Sequence, residues 1–260
     1  MHRTKDIKYR SEVIIMENYS KIMGIPVPKL TMTETVQILS EVIEKQREEL
    51  YHVVTLNPEI AMSCQHNAAL RQIVDRAGLL TADGAGIVMV SRVKRDPLPE
   101  RVTGSDLLYH LLAAGHQKNW SFYLLGADEE TSHAAEANIR SSYPGAIIKG
   151  RHHGFFHPSE EGRILEEISS ANPDILVVAL GAPYAEEWID KHRDQLNARI
   201  AIGVGGTLDI IAGRVKRAPR IWQRLNLEWM YRLINQPSRW RRQLILPRFA
   251  VRAILYRDPN

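Results

Sequence analysis

Five apolar runs constrain what this chain can fold into: YHVVTL, LLTA, SFYLLG, DILVVALG and ARIAIGVG. None alternates between apolar and polar residues. Each closes on a residue suited to a sharp turn, at Asn57, Asp83, Gly126, Gly181 and Gly205. A strand that is apolar on both faces must be covered on both faces, which is the condition of a parallel sheet between layers of helix. The segments between the runs carry helical signals, so strand and helix alternate. This pattern predicts an α/β protein with a doubly wound, mostly parallel (Rossmann-like) sheet.

The elements follow from local chemistry. Thr31 and Glu34 form a capping box ahead of Val36, Leu39 and Ile43 at helical spacing. Strands are expected at residues 51–56, 79–82, 121–126, 146–149, 174–181 and 198–205. Pro58 opens a helix as a favoured first-turn residue, and Gly78 ends that helical region. A buried helix is expected over 84–93, then a loop over 96–104. Ser105 is expected to cap a helix over 106–114. Further helices are expected over 128–142, 159–170 and 185–196. After Gly213 the strands stop. Residues 221–235 and 239–256 read as helices separated by Pro237, with Pro247 kinking or breaking the second. Three domains result: an N-terminal arm (1–20), expected to be disordered in its first fifteen residues; an α/β catalytic domain (21–213); and a helical, membrane-associating appendage (214–260).

Charge is distributed unevenly. From Arg214 onward there are twelve Lys/Arg against two Asp/Glu, a balance of +10, while the remainder holds 22 against 28, a balance of −6. A basic tail on an acidic body points to a polyanion or an anionic membrane. The single cysteine, Cys64, excludes an internal disulfide and fits a reducing compartment. MHRTKDIKYR lacks the apolar segment of a signal peptide, and Met16 offers an equally good start. No apolar run reaches the roughly 20 residues that span a bilayer.

Strand ends are where open α/β sheets bind ligands. Asp83 stands at such an end, between Ala82 and Gly84. It reads either as a base that takes a proton from a hydroxyl or as a cap for the helix that follows. Arg101 reads as a two-pronged phosphate clamp or as a surface charge paired with Glu100. Thr103 reads as a site hydroxyl or a helix cap. Gly203, Gly205 and Gly206 precede TLDIIAG, as a phosphate cradle or as a tight strand-to-helix turn. The third glycine of a dinucleotide fingerprint is missing, which speaks against a nucleotide-dependent oxidoreductase. His152 and His153 are adjacent and point opposite ways in extended backbone, so they make a poor metal pair, and His157 completes no metal-ligand spacing.

In the tail, Arg232, Arg239, Arg241 and Arg242 cluster with Trp229, Tyr231 and Trp240. Arginines beside interfacial aromatics suit a membrane surface. Leu244, Ile245, Leu246, Phe249, Ile254 and Leu255 favour a bilayer or subunit contact over a nucleic-acid groove. A basic helix packed on its own domain, or a non-enzymatic module that binds acidic polymers, are the other readings.

Eight segments together resemble the WecG/TagA/CpsF glycosyltransferases, glycosyltransferase family 26. They are TLNPEI (55–60), ADGAGIV (82–88), ERVTGSDL (100–107), YLLGA (123–127), PDILVVALGAP (173–183), GVGGTLDIIAG (203–213), RAP (217–219) and LEWMYRLINQPSRWRR (227–242). The resemblance spans about residues 24 to 256. It implies a metal-independent, cofactor-free, inverting transferase at the cytoplasmic membrane face. The transferred sugar is expected to be N-acetylmannosamine, passed from a UDP-sugar to undecaprenyl-diphosphate-linked N-acetylglucosamine in wall teichoic acid or related cell-surface polysaccharide synthesis, with a glucosyl or N-acetylmannosaminuronosyl donor for exopolysaccharide as the alternative. It implies Asp83 as general base and Thr55, Asn57 and Arg101 as pocket residues. Gly126, Gly181, Gly205, Gly206 and Asp209 are expected on the UDP side. Arg232, Arg239 and Arg242 are expected at the lipid diphosphate and membrane, in a chain that self-associates and binds no nucleic acid. One position departs from the family's G-x-P-K-Q-E: Ala185 stands in place of the glutamine, so a polar pocket contact is expected to be lost, with Tyr184 or Glu186 as the candidate substitute.

Overall fold

A computed structural model describes residues 18–45, 49–219, 221–222, 228–235 and 244–257. The described residues begin with an antiparallel hairpin, β1 (Tyr19–Ile22) and β2 (Ile25–Pro28). The sequence reading did not foresee it. Ile22, Ile25 and Val27 pack into the body of the protein. Helix α1 (Met32–Glu44) follows with the expected capping box at Thr31 and Glu34.

The central sheet has six strands: β3 (Tyr51–Leu56), β4 (Leu79–Ala82), β5 (Ser121–Gly126), β6 (Ile147–His152), β7 (Ile175–Ala179) and β8 (Ile200–Gly203). Their order is β4-β3-β8-β7-β5-β6, and every pairing is parallel. All carboxyl ends therefore lie on one edge. Alternate side chains enter opposite layers, as strand geometry requires. Val53, Leu79, Leu124, Val177 and Ile202 face a core shared with α1 and with α5 (Gly104–Lys118). Val54, Leu80 and Leu56 face a second core, which holds α2 (Pro58–Ser63), α3 (Ala68–Asp75) and α4 (Ala85–Val93). On the same face Leu125, Leu176 and Ala201 meet α7 (Glu161–Ala171) and α8 (Tyr184–Lys191). Helix α6 (Glu129–Ser142) is capped by Asp128 and buries Ile139 in the first core. The doubly wound reading is borne out.

Several boundaries differ from expectation. Thr103, not Ser105, caps α5: its side chain accepts from the Asp106 amide at 3.0 Å. The helix therefore starts earlier and runs to Lys118. Helix α4 is buried on one face only, because Met89 and Val93 are exposed. Edge strand β6 begins at Ile147 and extends to His152, and a short 3-10 turn, Pro158–Glu160, precedes α7. Helix α9 (Thr207–Ile211) lies just before Gly213, and beyond it the described residues form α10 (Glu228–Asn235) and α11 (Ile245–Leu255). Pro247 is the third residue of α11 and does not break it. A first-turn N–H has no intrahelical partner, so its loss there costs little. Helix α11 packs against α4 and α2 through Phe249 and Ala253, which are fully buried. No described helix is long and apolar enough to cross a membrane.

Candidate active site

The strand order opens a crevice at the carboxyl edge. From β5 the chain passes to β6 toward one side of the sheet, and from β7 it passes to β8 toward the other. Connections that diverge from neighbouring strands leave a gap between their ends. Gly126 and Gly181 flank this gap. Gly126 has φ +134°, and a Cβ there would lie 2.5 Å from the Ala179 carbonyl oxygen. Its lack of a side chain thus lets β5 end hard against β7. Gly181 (φ +84°) and Gly205 (φ +53°) are different: a Cβ on either would meet nothing within 4 Å. Their backbones border open space, as phosphate-approaching glycines do. Gly206 is exposed, with the Asp209 carboxylate close beside it. Asp209 lies in the first turn of α9, and its carbonyl receives the Arg214 and Val215 amides.

Asp83 follows β4 directly, with its own amide bonded to the Leu56 carbonyl at 2.9 Å. Gly84, which makes no side-chain cap, occupies the position before α4. The capping alternative for Asp83 therefore falls. Its carboxylate turns to the opposite helix and accepts the Gly104 amide at 3.2 Å. That amide belongs to the first turn of the 15-residue α5, whose positive dipole end favours an anion. Gly104 must be small: a Cβ there would lie 3.2 Å from the Gly203 carbonyl and 3.3 Å from Thr55. Thr55 itself is buried and donates from Oγ1 to Gly203 at 3.4 Å. Asn57 caps α2, its Oδ1 accepting the Ile60 amide at 3.0 Å.

The loop carrying Arg101 is stitched to β4. The Val102 amide bonds the Ala82 carbonyl, and Thr81 Oγ1 donates to the Val102 carbonyl. Arg101 is largely buried and pairs with Glu228 of α10 at 3.5 Å, not with Glu100. Glu100 instead accepts the Met32 amide at the start of α1. Asp106 is bonded by Thr103 Oγ1 and by Arg217. Burial opposes its charge, but these two donors win and hold its carboxyl below the ordinary carboxylate range. Ser105 and Thr207 share a hydrogen bond at 2.7 Å, which ties α5 to the Gly205–Gly206 turn.

Across the crevice, Ala182–Pro183 is a cis peptide and α8 begins at Tyr184. Ala185 is buried against β8 and Tyr184 points to solvent. Glu186, only 2% exposed, turns inward, and a Cβ on Gly203 would lie 2.6 Å from its Oε1. Burial pushes its carboxyl up to about 7, helped by the negative charges of Glu187 and Asp83. Thr55, Asp83, Gly104, Gly203 and Glu186 thus form one continuous cluster.

Residues 20–259 match the sequence profile of the glycosyl transferase WecG/TagA/CpsF family. The chain belongs to that family. It is 36% identical over 203 residues to the N-acetylglucosaminyldiphosphoundecaprenol N-acetyl-beta-D-mannosaminyltransferase of Bacillus spizizenii, covering 78% of each chain. The Bacillus subtilis protein of the same name is 35% identical over 208 residues, 80% of each chain. The one from Staphylococcus aureus MRSA252 is 33% identical over 228 residues, covering 88% of this chain and 89% of its own. Membership in a glycosyl transferase family decides for a transferase over an oxidoreductase or a binding module. Of the family's expected tail arginines, Arg232 lies in α10, while Arg239 and Arg242 fall outside the described residues. Glu228 and the Asp106–Arg217 pair were not singled out by sequence alone, and Glu186 was named only as a substitute for the missing glutamine. For Glu186 the available signal was an acidic residue in the first turn of the helix that follows a core strand.

Proposed function

We propose that this protein transfers N-acetyl-β-D-mannosamine from a UDP-sugar to N-acetylglucosaminyl-diphosphoundecaprenol, as in the linkage unit of wall teichoic acid. The observation that carries this reading is the Asp83 carboxylate, placed at the carboxyl edge of the sheet, in a chain whose relatives share that activity in their name. In the reaction, Asp83 takes the proton of the acceptor hydroxyl as its oxygen bonds to the anomeric carbon. The bond from that carbon to the UDP oxygen breaks, and the electron pair leaves with UDP. One displacement inverts the anomeric centre and needs no covalent intermediate. The growing charge on the diphosphate calls for fixed donors. Arg101 and the open backbone at Gly181, Gly205 and Gly206 supply them, with Asp209 at the nucleoside and Thr55 and Asn57 shaping the floor.

The acceptor is a lipid, and α11 offers a surface suited to one. Opposite its buried Phe249 and Ala253, the helix exposes Leu244, Val251, Ile254 and Leu255 along with Arg248 and Arg252. Basic side chains beside exposed apolar ones favour an anionic bilayer surface. We assign this face to peripheral docking on the inner leaflet, with Arg232, Arg239 and Arg242 reaching the acceptor diphosphate. Self-association of the chain would use the same apolar face.

A panel of UDP-sugars offered with a short-chain lipid-diphosphate N-acetylglucosamine tests the activity. UDP-N-acetylmannosamine should give a β-linked disaccharide, and transfer from another UDP-sugar alone would replace the assigned donor. Asp83→Asn should slow transfer by at least about a hundredfold with a melting temperature close to wild type. Near-wild-type turnover would remove Asp83 from the base role. Val251→Glu with Leu255→Glu should lower binding to phosphatidylglycerol vesicles, and unchanged binding would free α11 of that task.

A further inference from the structure

Asp83 and Glu186 both lie in the cluster at the carboxyl edge of this sheet, and Glu186 has been given no task. Their surroundings differ in a way that assigns the second. Asp83 receives the Gly104 amide at the head of a long helix, an environment that suits an anion. Glu186 sits at the edge of the β8 backbone beside Gly203, and its Oε2 is buried with no hydrogen-bond partner among the described residues. An ionised oxygen in that place would lack both water and a donor, which is costly.

The charges around Glu186 give it no relief. On its own helix, Glu187 is held by Asn67 from the approach to α3, and Asp190 is paired with Arg76 at the end of α3. On β3, burial keeps His52 neutral with a pKa lowered to about 3, and Arg193 lies near that histidine. The flanking ends of β7 and β8, Leu180–Gly181 and Gly203, bring no charge. The charges that act on Glu186, those of Glu187 and Asp83, are both negative.

We propose that Glu186 keeps the site fit for the donor diphosphate: it enters the resting site as a neutral acid, so that of the two carboxyl groups Asp83 alone carries a negative charge. Ionisation of Glu186 above neutrality would set a second anion beside Gly203 and the Gly205–Gly206 turn, where the donor diphosphate is held. This inference rests on the transferase reading for Asp83's role, but the proton on Glu186 can be tested apart from it.

Infrared titration of the full chain supplies that test. The wild type should show a carboxylic-acid C=O band at about pH 6 that is lost near neutrality, and Glu186→Gln should lack it. A wild-type spectrum without the band overturns the proposal, whether or not any sugar is transferred. The second arm measures UDP binding by calorimetry and donor KM and kcat across the same range. If only the protonated site accepts the diphosphate, the wild-type Kd for UDP should rise roughly tenfold from about pH 6 to about pH 8. Donor KM should rise in parallel, with kcat little changed. Glutamine mimics the neutral acid, so Glu186→Gln should match wild type at the lower pH and stay flat. The same rise in the variant, or a variant inactive at every pH with native circular dichroism, would overturn the assignment. Failure of UDP to bind at any pH would overturn the nucleotide part of both readings, and the infrared band would still decide the proton.

Discussion

His52 should make this protein sensitive to acid by an amount that its surroundings define. The residue lies in β3 with no exposed surface, and neither ring nitrogen has a hydrogen-bond partner among the described residues. Burial drives its pKa down to about 3 from an ordinary 6.5, with the Arg193 charge acting the same way. The native state therefore refuses a proton that the unfolded chain accepts. For a base with a depressed pKa, stability is fully present above 6.5 and is lost as pH falls toward 3. At 1.36 kcal/mol per unit, the whole window amounts to about 5 kcal/mol, and reaching pH 4.5 already removes about 3 kcal/mol. Domains of this kind are stable by roughly 5–15 kcal/mol, so the loss is a large fraction of the total. His52→Leu keeps a similar volume, discards two orphaned polar atoms and removes the titration. Urea unfolding at about pH 7 and pH 4.5 should show the wild type losing about 3 kcal/mol more than the variant. At pH 7 the variant should be at least as stable as wild type, because a buried group without a partner costs more than an apolar one. Equal acid sensitivity in the two proteins, or a His52 ring that titrates near 6.5 by NMR, would refute the argument.

Glu186 acts in the opposite window. Its folded pKa, about 7, lies above its ordinary 4.5, so its contribution is complete below 4.5 and is lost as pH rises through 7. Glu186→Gln should therefore gain on the order of 3 kcal/mol relative to wild type at pH 8 and little at pH 4.5, as read from paired urea curves. Phe249→Ala should cost about 3–5 kcal/mol, since the ring is fully buried between α11 and α4. Limited proteolysis should then cut near α11 sooner than in wild type, and an unchanged cleavage pattern would show that the helix is held by other contacts.

Much of the fold was legible because both-face burial leaves a plain mark on sequence. Strands at 51–56, 79–82 and 121–126 appear where the apolar runs place them. The hairpin over Tyr19–Pro28 escaped notice because YSKI and IPVP are short and its turn at Met23–Gly24 is an ordinary-looking dipeptide. Sequence offers both Thr103 and Ser105 as caps because both residue types are good caps two positions apart, and only the hydrogen bond to Asp106 distinguishes them. In the site, strand ends pointed to Asp83 and to the glycines. They said nothing of Glu186, whose importance comes from lying against Gly203 on a strand it does not adjoin in sequence. Arg101's pairing with Glu228 is likewise a contact across 127 residues, invisible to any local rule.

By itself the sequence determined the element types, the parallel character of the sheet and the side of it on which chemistry could occur. These depend on periodicity and on the residues that end each run, and both are local properties. The tertiary structure alone decided the order β4-β3-β8-β7-β5-β6, and with it which strand ends are neighbours. It also decided that one carboxylate meets a helix amide while the other buries its Oε2 without a partner among the described residues. Charge state depends on solvent access and on partners brought from distant parts of the chain, so the division of labour between Asp83 and Glu186 had to wait for the folded molecule.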